Sequence, residues 1–321
     1  MQVLVTGAFG NVGESTLMAL LEKGYYIRCF DLPTKRNEKT QKKMEEIGDF
    51  QTVWGDIRDY DAVSMAALNM ETIIHLAAII PPVSDINPDL AREVNVGGTS
   101  NLLKAAQEME SPPKFIYASS IATYGHCTGE GPPKTASDPQ QATDPYTEHK
   151  IECEKLVKAS DLPWTILRFG VVTPLSIGMD VDPIMFEIPL EQRIEFVHTR
   201  DIGLACANAV EVDAQEKILL LGGGESCRMT YRHFVSKMLD AMGIGMLPDS
   251  AFKEVTCDED WFHTDWMDTE ESQKILDFQK HDFEDFLEEY KELAGIKRYL
   301  AMLFRPLVRR RLLAKSPYYG Q

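Results

Sequence analysis

The sequence predicts an α/β protein with a doubly wound parallel sheet and a smaller, mostly helical C-terminal lobe. The first two thirds of the chain alternate short apolar runs with amphipathic stretches, which is the pattern of repeated strand–helix units. A glycine-rich turn follows the first of these runs. From about Met229 onward, helical periodicity continues without intervening strands. At 321 residues the chain is long enough to bury a large core without disulfides.

The predicted strands are short runs of aliphatic, β-branched and aromatic residues, which suit strands covered on both faces of a parallel sheet. In chain order they are Gln2–Thr6, Tyr26–Phe30, Gln51–Val53, Thr72–His75, Lys114–Ala118, Thr165–Phe169 and Lys217–Leu221. Three glycines, Gly222 to Gly224, follow the last run and indicate a tight turn rather than a phosphate loop.

The predicted helices lie between these strands and carry apolar residues at helical spacing. They cover Asn11–Leu21, Glu38–Glu46, Tyr60–Ala67, Asp89–Met109 and Tyr146–Ala159. Asp59 precedes the third helix as an N-cap, and Asp144 followed by Pro145 opens the last one, because proline is favoured at the first helical position.

Two segments fall outside this alternation and predict a second lobe. Residues 171–195 contain three prolines and indicate an irregular loop with short elements. Together with the helical C-terminal part, they are expected to cover the carboxyl edge of the sheet. The predicted organisation is therefore a doubly wound α/β domain from 1–170 plus about 196–225, and a second lobe from 171–195 plus about 226–321.

Composition and charge exclude several classes of protein. The net charge of −17 and pI near 4.9 argue against a general nucleic-acid binder. No apolar run reaches the roughly 18 residues of a membrane span. Six scattered cysteines and an opening that reads as a strand rather than a signal peptide predict a cytoplasmic protein with reduced thiols. The histidines show no metal-ligand spacing, so no metal site is predicted.

The C-terminal tail has a distinct charge pattern. From Leu293 to Gln321 there are seven basic residues and no acid, and the remainder of the chain carries a charge of −24. Six apolar residues mark one face of a helix that Pro306 would kink or end: Ile296, Leu300, Leu303, Phe304, Leu307 and Val308. The favoured interpretation is that this face docks on the protein's own acidic body or on a sister subunit. Contact with a membrane surface is the alternative.

A glycine motif between the first strand and first helix predicts a dinucleotide site. In TGAFGNVG, Gly7 permits the tight turn, Gly10 lets a pyrophosphate approach the backbone, and Gly13 allows close helix packing. The following helix N-terminus offers free N–H groups and a positive dipole to the phosphates. A glycine triplet alone is weak evidence, but its place after the first strand makes it informative.

An acidic residue at the end of the second strand favours NAD over NADP. Asp31 can accept both hydroxyls of the adenosine ribose and would repel a 2′-phosphate. Lys35 and Arg36 lie nearby, and their ordinary interpretation is a solvated helix start. After the third strand, Asp56 is placed to meet the adenine amine.

A third group of residues predicts acid–base chemistry on an alcohol. Tyr146 and Lys150 lie one helical turn apart, and Ser120 ends the fifth strand. A lysine cation together with an oxidised nicotinamide favours the phenolate and lowers the pKa of the tyrosine from its usual value near 10. The serine hydroxyl then holds the reacting oxygen while the tyrosine takes or gives its proton.

At this point the sequence resembles a known family, the extended short-chain dehydrogenase/reductases, also called the NAD-dependent epimerase/dehydratase family. The similar segments span about residues 1–225 in the family's order. They are TGAFGNVG, FDLP, GDIRD, HLAA (75–78), NVGGT (95–99), ASSIATYG (118–125), YTEHK, LRFGVV (167–172) and FVHTRDIG (196–203).

The resemblance implies that the first domain is a Rossmann-type domain that binds NAD and that the second lobe binds substrate. It also implies further site residues and a homodimer. Ser120, Tyr146 and Lys150 match the family's catalytic serine, tyrosine and lysine, and the last two also match cofactor positions. The other matching cofactor positions, beyond the three glycines, are Asn11, Val12, Asp31, Asp56, Ile57, Leu76, Ala77, Ala78, Asn95 and Gly170. The family commonly dimerises through the helix that bears the tyrosine and lysine.

Departures from the family pattern narrow the expected reaction. Where the family's sugar-nucleotide dehydratases have Asp-Glu after the catalytic hydroxyl, this chain has Ile121 and Ala122, so water elimination is not expected. The substrate segment is short, and its one cation, Arg193, is set among acids, which gives a nucleoside diphosphate little support. Other potential sources of positive charge are Arg228, Arg232 and Lys253. The ordinary interpretation of each is a surface residue.

We therefore expect an NAD-dependent oxidoreductase that moves hydride at a carbinol carbon of a small-molecule substrate. The first hypothesis, which the family resemblance favours, is an epimerase of a sugar or sugar nucleotide. The alternative is a dehydrogenase or reductase of a smaller alcohol or ketone, which the short substrate segment favours. A third hypothesis, a non-catalytic NAD-binding sensor, is disfavoured because both Tyr146 and Lys150 are present.

Overall fold

The protein is described here from a computed structural model that covers residues 1–175 and 182–320. In this part of the chain seven parallel strands form one sheet in the order β3-β2-β1-β4-β5-β6-β8. The strands are β1 (Gln2–Thr6), β2 (Tyr26–Asp31), β3 (Gln51–Trp54), β4 (Thr72–His75), β5 (Lys114–Ser120), β6 (Trp164–Phe169) and β8 (Lys217–Leu221). A separate antiparallel pair joins β7 (Arg193–Glu195) to β9 (Arg228–Thr230). The predicted doubly wound parallel sheet is confirmed.

Helices cover both faces of the sheet because each crossover between parallel strands must carry one. The helices are α1 (Asn11–Glu22), α2 (Lys35–Glu45), α3 (Tyr60–Ala67), α4 (Val83–Ile86), α5 (Pro88–Arg92), α6 (Gly98–Gln107), α7 (Pro145–Lys158), α8 (Thr199–Glu211), α9 (Tyr231–Ala241), α10 (Glu270–Leu276), α11 (Phe283–Leu303) and α12 (Arg305–Leu313). Side chains of α1 and α8 fill the core on one face, and those of α3, α6 and α7 fill the other.

The predicted helix Asp89–Met109 is interrupted in the structure. A π-helical turn over Glu93–Gly97 separates α5 from α6. Two glycines at the junction weaken the α-helical preference, and Gly98 packs so closely on Ile57 that a Cβ would lie 2.6 Å from its side chain. The turn also brings the buried amide of Asn95 against the backbone of Ile79.

Helix α8 was not among the predicted helices. Its N-cap is His198, whose ring nitrogen accepts a hydrogen bond from the Arg200 N–H at 3.1 Å. Histidine is not one of the usual capping residues, so the local sequence carries no strong start signal. The helix is nevertheless secured by burial, because its apolar side packs against α1.

The C-terminal helices build a second hydrophobic cluster beside the sheet. It joins residues from the segment before β7, from β7 itself, from α9 and the loop that follows it, and from α12. Examples in that order are Phe186, Ile194, Val235, Phe252 and Leu312. The small β7–β9 sheet lies within this region, so the segment predicted as irregular contains a short strand. Residues 176–181 of that segment lie outside the described part of the chain.

The apolar stripe of the C-terminal tail does not pack on the protein's own body, and the prediction that it docks on a sister subunit stays a prediction. Of its six residues, five are exposed and Val308 is half-buried, while the opposite side of the same helices packs on the protein through Ala301 and Leu312. Pro306 falls in the first turn of α12, where its missing N–H costs nothing. Among the described helices, none combines the length and apolarity that crossing a membrane requires.

Candidate active site

The glycine loop between β1 and α1 is held by its own backbone. Gly7 has a φ of +68°, and a Cβ there would lie 2.9 Å from the backbone of Ala77. At Gly13 a Cβ would overlap the carbonyl oxygen of Gly7. Gly10, the N-cap of α1, has only that same oxygen nearby, at 3.3 Å. Two of the glycines are therefore required by the fold, whereas Gly10 mainly leaves space above the helix N-terminus.

A cavity of about 360 Å³ opens beside this loop, at the carboxyl ends of β1 to β4. Eight of the predicted cofactor residues line it: Gly7, Gly10, Asp31, Asp56, Ile57, Leu76, Ala77 and Ala78. The others are not among its lining residues: Asn11, Val12, Gly13, Asn95, Tyr146, Lys150 and Gly170. Asn11 instead lines a second cavity with Thr199 and Arg200.

Asp31 connects the second strand to the glycine loop. Its carboxylate accepts hydrogen bonds from the Phe9 N–H and the Asn37 amide, both at 2.9 Å, and from the Leu32 N–H at 2.8 Å. Burial raises the pKa of Asp31, although these backbone donors and the charge of Arg36 act in the opposite direction. Asp31 thus faces the cavity as predicted, and the hydrogen bond from Phe9 in the glycine loop fixes its orientation.

Asp56 is less free than the sequence suggested. Its carboxylate forms an ion pair with Arg58 at 2.7 Å, and the same guanidinium also reaches Glu93 at 2.9 Å. The hydrogen bonds from Arg58 lower the pKa of Asp56. An adenine amine at this position would therefore share the carboxylate with an arginine.

Asn95 acts on the cavity wall through the backbone. Its side-chain amide donates to the Ile79 carbonyl at 2.8 Å and accepts from the Ile79 N–H at 2.7 Å. Both hydrogen-bonding groups of this buried amide are used, which fixes the segment after β4 that carries Ala77 and Ala78. Asn95 is thus a positioning residue in this structure.

Several lining residues were missed by sequence reasoning. Asn37, Ile79, Leu90 and Val94 also face the cavity. For Asn37 a signal was available, because it lies in the first turn of the helix that follows Asp31. Leu90 and Val94 reach the cavity through the break in the predicted long helix, which local periodicity does not indicate.

The predicted catalytic residues meet where β5 ends beside α7. The Ser120 side chain is close enough to the Tyr146 hydroxyl to act to lower its pKa, and the Lys150 Nζ lies 5.8 Å from the centre of the Tyr146 ring. Lys150 is buried and donates to the Ala118 carbonyl at 2.6 Å. Its Nζ also lies 4.9 Å from the centre of the Tyr117 ring. Helix α7 is fixed at this end by a capping box at Asp144.

Burial dominates the electrostatics of this group. It raises the pKa of Tyr146 to about 12, with Ser120 acting to lower it and Asp144 to raise it. It also lowers the pKa of Lys150 to about 8. Desolvation therefore sets the pKa of Tyr146 in the protein without NAD, and the expectation that Lys150 together with an oxidised nicotinamide lowers this pKa stays a prediction.

Gly170 and the residues after Ser120 have structural explanations. A Cβ at Gly170 would lie 2.7 Å from the Met267 side chain and 3.0 Å from the Glu195 carbonyl. His126 bonds the Trp261 carbonyl through Nδ1 at 2.6 Å. Cys127 is fully buried, and burial raises its pKa to about 12. The thiol is therefore protonated at neutral pH and serves packing.

Residues 262–264 of the C-terminal lobe, which we call the strap, bond to the loop that follows the catalytic strand β5. The Cys127 N–H donates to the Phe262 carbonyl at 3.0 Å. The buried amide of Gln192 donates to the Cys127 and Thr264 carbonyls at 2.9 and 2.6 Å, and accepts from the Phe262 N–H at 2.7 Å. One glutamine thus joins its own segment before β7 to the loop that follows β5 and to residues 262–264.

The four cations that the sequence offers as partners for a diphosphate are each paired with a carboxylate of this chain. The N–O distances are 2.6 to 3.2 Å. The pairs are Arg193 with Asp265, Arg228 with Glu195, Arg232 with Glu191 and Asp249, and Lys253 with Asp260. Their positive charge is neutralised within the lobe.

Curated relatives include both dehydrogenases and epimerases. The chain is 33% identical over 166 residues to a 3 beta-hydroxysteroid dehydrogenase/Delta 5-->4-isomerase of Mycobacterium tuberculosis, a match that covers 50% of this chain and 43% of the relative. It is 29% identical over 264 residues to a UDP-glucose 4-epimerase of Halalkalibacterium halodurans, covering 70% of this chain and 76% of the relative. The chain thus spans less than half the length of the steroid dehydrogenases that it matches.

Solved structures share the fold. A UDP-glucuronic acid 4-epimerase from Bacillus cereus, in complex with UDP-glucuronic acid and NAD, superposes with a TM-score of 0.75 at 22% identity, over 92% of this chain and all of that one. A dTDP-glucose 4,6-dehydratase from Streptomyces venezuelae gives a TM-score of 0.77 at 22% identity, over 94% and 98% of the two chains.

The family assignment follows from the sequence profile that matches residues 3–173, which is more than half of the chain. The profile describes the NAD dependent epimerase/dehydratase family, and NAD is the cofactor that the glycine loop and Asp31 predicted. The matched range contains the glycine loop, the cavity and the residues Ser120, Tyr146 and Lys150. This protein belongs to the NAD dependent epimerase/dehydratase family.

Proposed function

We propose that the protein binds NAD along the carboxyl edge of the sheet and transfers hydride at a carbinol carbon. The observation that carries this proposal is the grouping of Ser120, Tyr146 and Lys150 at the end of β5, on the same sheet edge as the lined cavity. A tyrosine and lysine that touched only solvent would not be desolvated together in this way.

The residues around the cavity fit the adenosine half of NAD. The Asp31 carboxylate offers an acceptor for ribose hydroxyls, and the N-terminus of α1 at Gly10 offers N–H groups to phosphates. Apolar walls from Ile57 and Leu76 suit the faces of an adenine ring. When bound, NAD supplies the hydride acceptor and a positively charged ring near the tyrosine.

Proton transfer falls to the chain's own side chains. Tyr146 is protonated in the absence of other charges, because burial raises its pKa to about 12. It is therefore poised to donate a proton to a carbonyl, and it becomes a base when a second positive charge joins that of Lys150. Ser120, whose side chain interacts with the same hydroxyl, orients the substrate oxygen.

For the substrate we propose an alcohol without a diphosphate group. Arg193, Arg228, Arg232 and Lys253 are all engaged by carboxylates, so a diphosphate entering the lobe would have to displace an acid from one of them. We further propose that residues 171–195 with 226–321 form the substrate lobe, and residues 1–170 with 196–225 the NAD domain. This makes a dehydrogenase or reductase the first candidate.

A nucleotide-sugar epimerase is the second candidate. Its support is the UDP-glucose 4-epimerase relative, of which this chain covers 76%. An epimerase returns the hydride to the same carbon, so it must retain its cofactor between turnovers. A dehydrogenase releases NADH in each cycle.

The test incubates purified protein with sterols, simple secondary alcohols and UDP-sugars, and follows both NADH absorbance and product. Steady NADH accumulation with an uncharged alcohol supports the first candidate. Conversion of a UDP-sugar without added NAD and without net absorbance change refutes it and supports the second. Absence of both reactions, with NAD bound, would contradict the proposed chemistry altogether.

A further inference from the structure

The C-terminal tail presents an apolar surface to solvent. Helix α11 breaks at Gly295, whose φ of +46° and ψ of −129° leave the helical region, and the chain then continues through α12. Phe304, between the two helices, still donates its N–H to the Leu300 carbonyl at 3.0 Å, so the helical path is nearly continuous. Six side chains that are 49 to 76% exposed form what we call the apolar tail face: Ile296, Tyr299, Leu300, Leu303, Phe304 and Leu307.

The orientation of this face is fixed by contacts on the opposite side. Ala301 and Leu312 are buried against the body. Arg305 and Arg309 donate to the carbonyls of Ile244 and Met246, both at 2.6 Å. The exposed residues recur at steps of three and four, which on a helix fall on one side. The helices are therefore docked with their apolar stripe outward, and contiguous exposed apolar patches mark interaction sites.

Charge identifies the chemistry of the partner. Residues 293–321 contain seven basic side chains and no acid, whereas the rest of the chain carries −24. Two of the arginines hold the helices to the body, while Lys297, Arg310 and Arg311 are exposed along the same segment. Charges are screened beyond roughly 8 Å at physiological salt, so a surface that touches Leu300 to Leu307 meets these nearby cations. The acids nearest along the chain, Glu289 and Glu292, precede the helix break at Gly295.

We propose that the apolar tail face binds the surface of an anionic phospholipid bilayer. The helices would lie in the plane of the membrane, with leucines, Ile296 and Phe304 at the acyl boundary and Tyr299 at the headgroup level. Basic side chains would meet the lipid phosphates. Apolar residues on one side and cations around them, without acids, are the features of helices that lie at this interface.

A second copy of this chain fits the same face less well. A two-fold dimer pairs each patch with itself, so the basic side chains that surround the apolar tail face would approach their own copies. A bilayer with anionic headgroups satisfies the apolar and the basic side chains at once.

The test measures co-sedimentation of the full chain with vesicles of phosphatidylcholine alone or of phosphatidylcholine mixed with phosphatidylserine. We expect binding to the mixed vesicles only, and weakening as salt is raised. Two double variants test the two kinds of contact separately. L303E with L307E tests the apolar contact, and R310E with R311E tests the charge contact. Each is expected to weaken binding by about tenfold or more, since one basic residue near an anionic surface contributes several-fold in affinity.

Matched controls place the same changes elsewhere on the surface. Met65→Glu alters an equally exposed apolar residue on α3, and K39E with K42E alters net charge as much on α2; both are expected to bind vesicles like the parent. Equal binding to both vesicle types, or none, overturns the proposal. So does a dimer, seen by light scattering, that L303E with L307E converts to a monomer without any vesicle binding.

Discussion

Arg168 and Glu154 form a buried ion pair at 2.7 Å between β6 and α7, with at most 2% of either side chain exposed. Two further donors, the Ser119 hydroxyl at 2.6 Å and the Gln140 amide at 3.0 Å, satisfy the carboxylate. Burial acts to raise the pKa of Glu154, but the hydrogen bonds and charge of Arg168 outweigh it and hold that pKa below its usual value. The pair thus links the catalytic helix to the sheet one turn beyond Lys150.

Removing one partner of this pair should be costly. Arg168→Met leaves the buried carboxylate with only Lys158, a more exposed cation whose Nζ lies 3.5 Å away, and we expect the free energy of unfolding to fall by about 3–5 kcal/mol. Urea denaturation measures this loss. Arg232→Met, which removes an exposed pair, is the control and should cost about 1 kcal/mol or less. Equal losses in both variants would contradict the structural role assigned to Arg168.

Gly10 and Gly13 should respond differently to alanine. At Gly13 the new methyl group overlaps the Gly7 carbonyl, so Gly13→Ala should destabilise the fold. At Gly10 the nearest atom is 3.3 Å away, and the unliganded protein should tolerate the methyl group while NAD affinity falls. Thermal unfolding and NAD titration separate the two effects. Normal NAD affinity in Gly10→Ala would argue against a pyrophosphate at this helix terminus.

Asp31 should select NAD over NADP. With NADP, the Asp31 carboxylate would lose its charge-assisted hydrogen bonds to the ribose and would repel the 2′-phosphate. NAD is therefore expected to bind about tenfold or more tightly than NADP. Titration of both cofactors into the protein, followed by tryptophan fluorescence, measures the ratio, and Asp31→Ser should reduce it. Equal or tighter binding of NADP would show that Lys35 or Arg36 dominates.

Tyr146→Phe should abolish most turnover and leave cofactor binding intact. Tyr146 does not line the cavity that we assign to the adenosine half of NAD, so the phenol oxygen is expected to contribute little to NAD affinity. Loss of a positioned acid–base group should lower kcat roughly 10²-fold or more. Steady-state kinetics and an NAD titration on the same preparation provide the comparison. Near-normal kcat on the true substrate would exclude Tyr146 as the proton donor and acceptor.

Lys150 should set an upper pH limit to activity. Burial lowers its pKa to about 8, so its ammonium is lost as pH rises through that value, whereas an ordinary lysine keeps its charge to about pH 10.4. Because the charge favours the Tyr146 phenolate, kcat/KM should fall above about pH 8. Lys150→Met should be slow at every pH and lack this limb. A parent profile that keeps rising beyond pH 10 would contradict the assignment.

Local sequence was sufficient for the sheet and for the glycine loop, because both depend on short-range patterns. The strands are apolar runs whose burial on two faces requires little context, and Gly7 adopts the left-handed φ that its place after β1 implies. Helix α8 escaped prediction since its cap is His198 and its stability comes from packing on α1. Its apolar side could be assigned only once that partner was known.

The electrostatics of the site could not be derived from sequence alone. Arg193 pairs with Asp265, 72 positions away, and Arg228 with Glu195, 33 positions away. Neither pairing leaves a local signature, yet together they decide how much positive charge a substrate meets. The pKa of Tyr146 likewise depends on how much protein surrounds it, which spacing along a helix does not encode.

The strap that Gln192 holds above the catalytic strand has a consequence for recombination between relatives. A chimera joined after β8 would replace the segment that carries Phe262 and Thr264. Because these two residues contribute backbone groups, Gln192 and Cys127 would keep their partners only if the foreign backbone followed the same path. The region beyond residue 226 is therefore no interchangeable cassette. New specificity is better sought by point substitution within the strap than by exchange of the whole lobe.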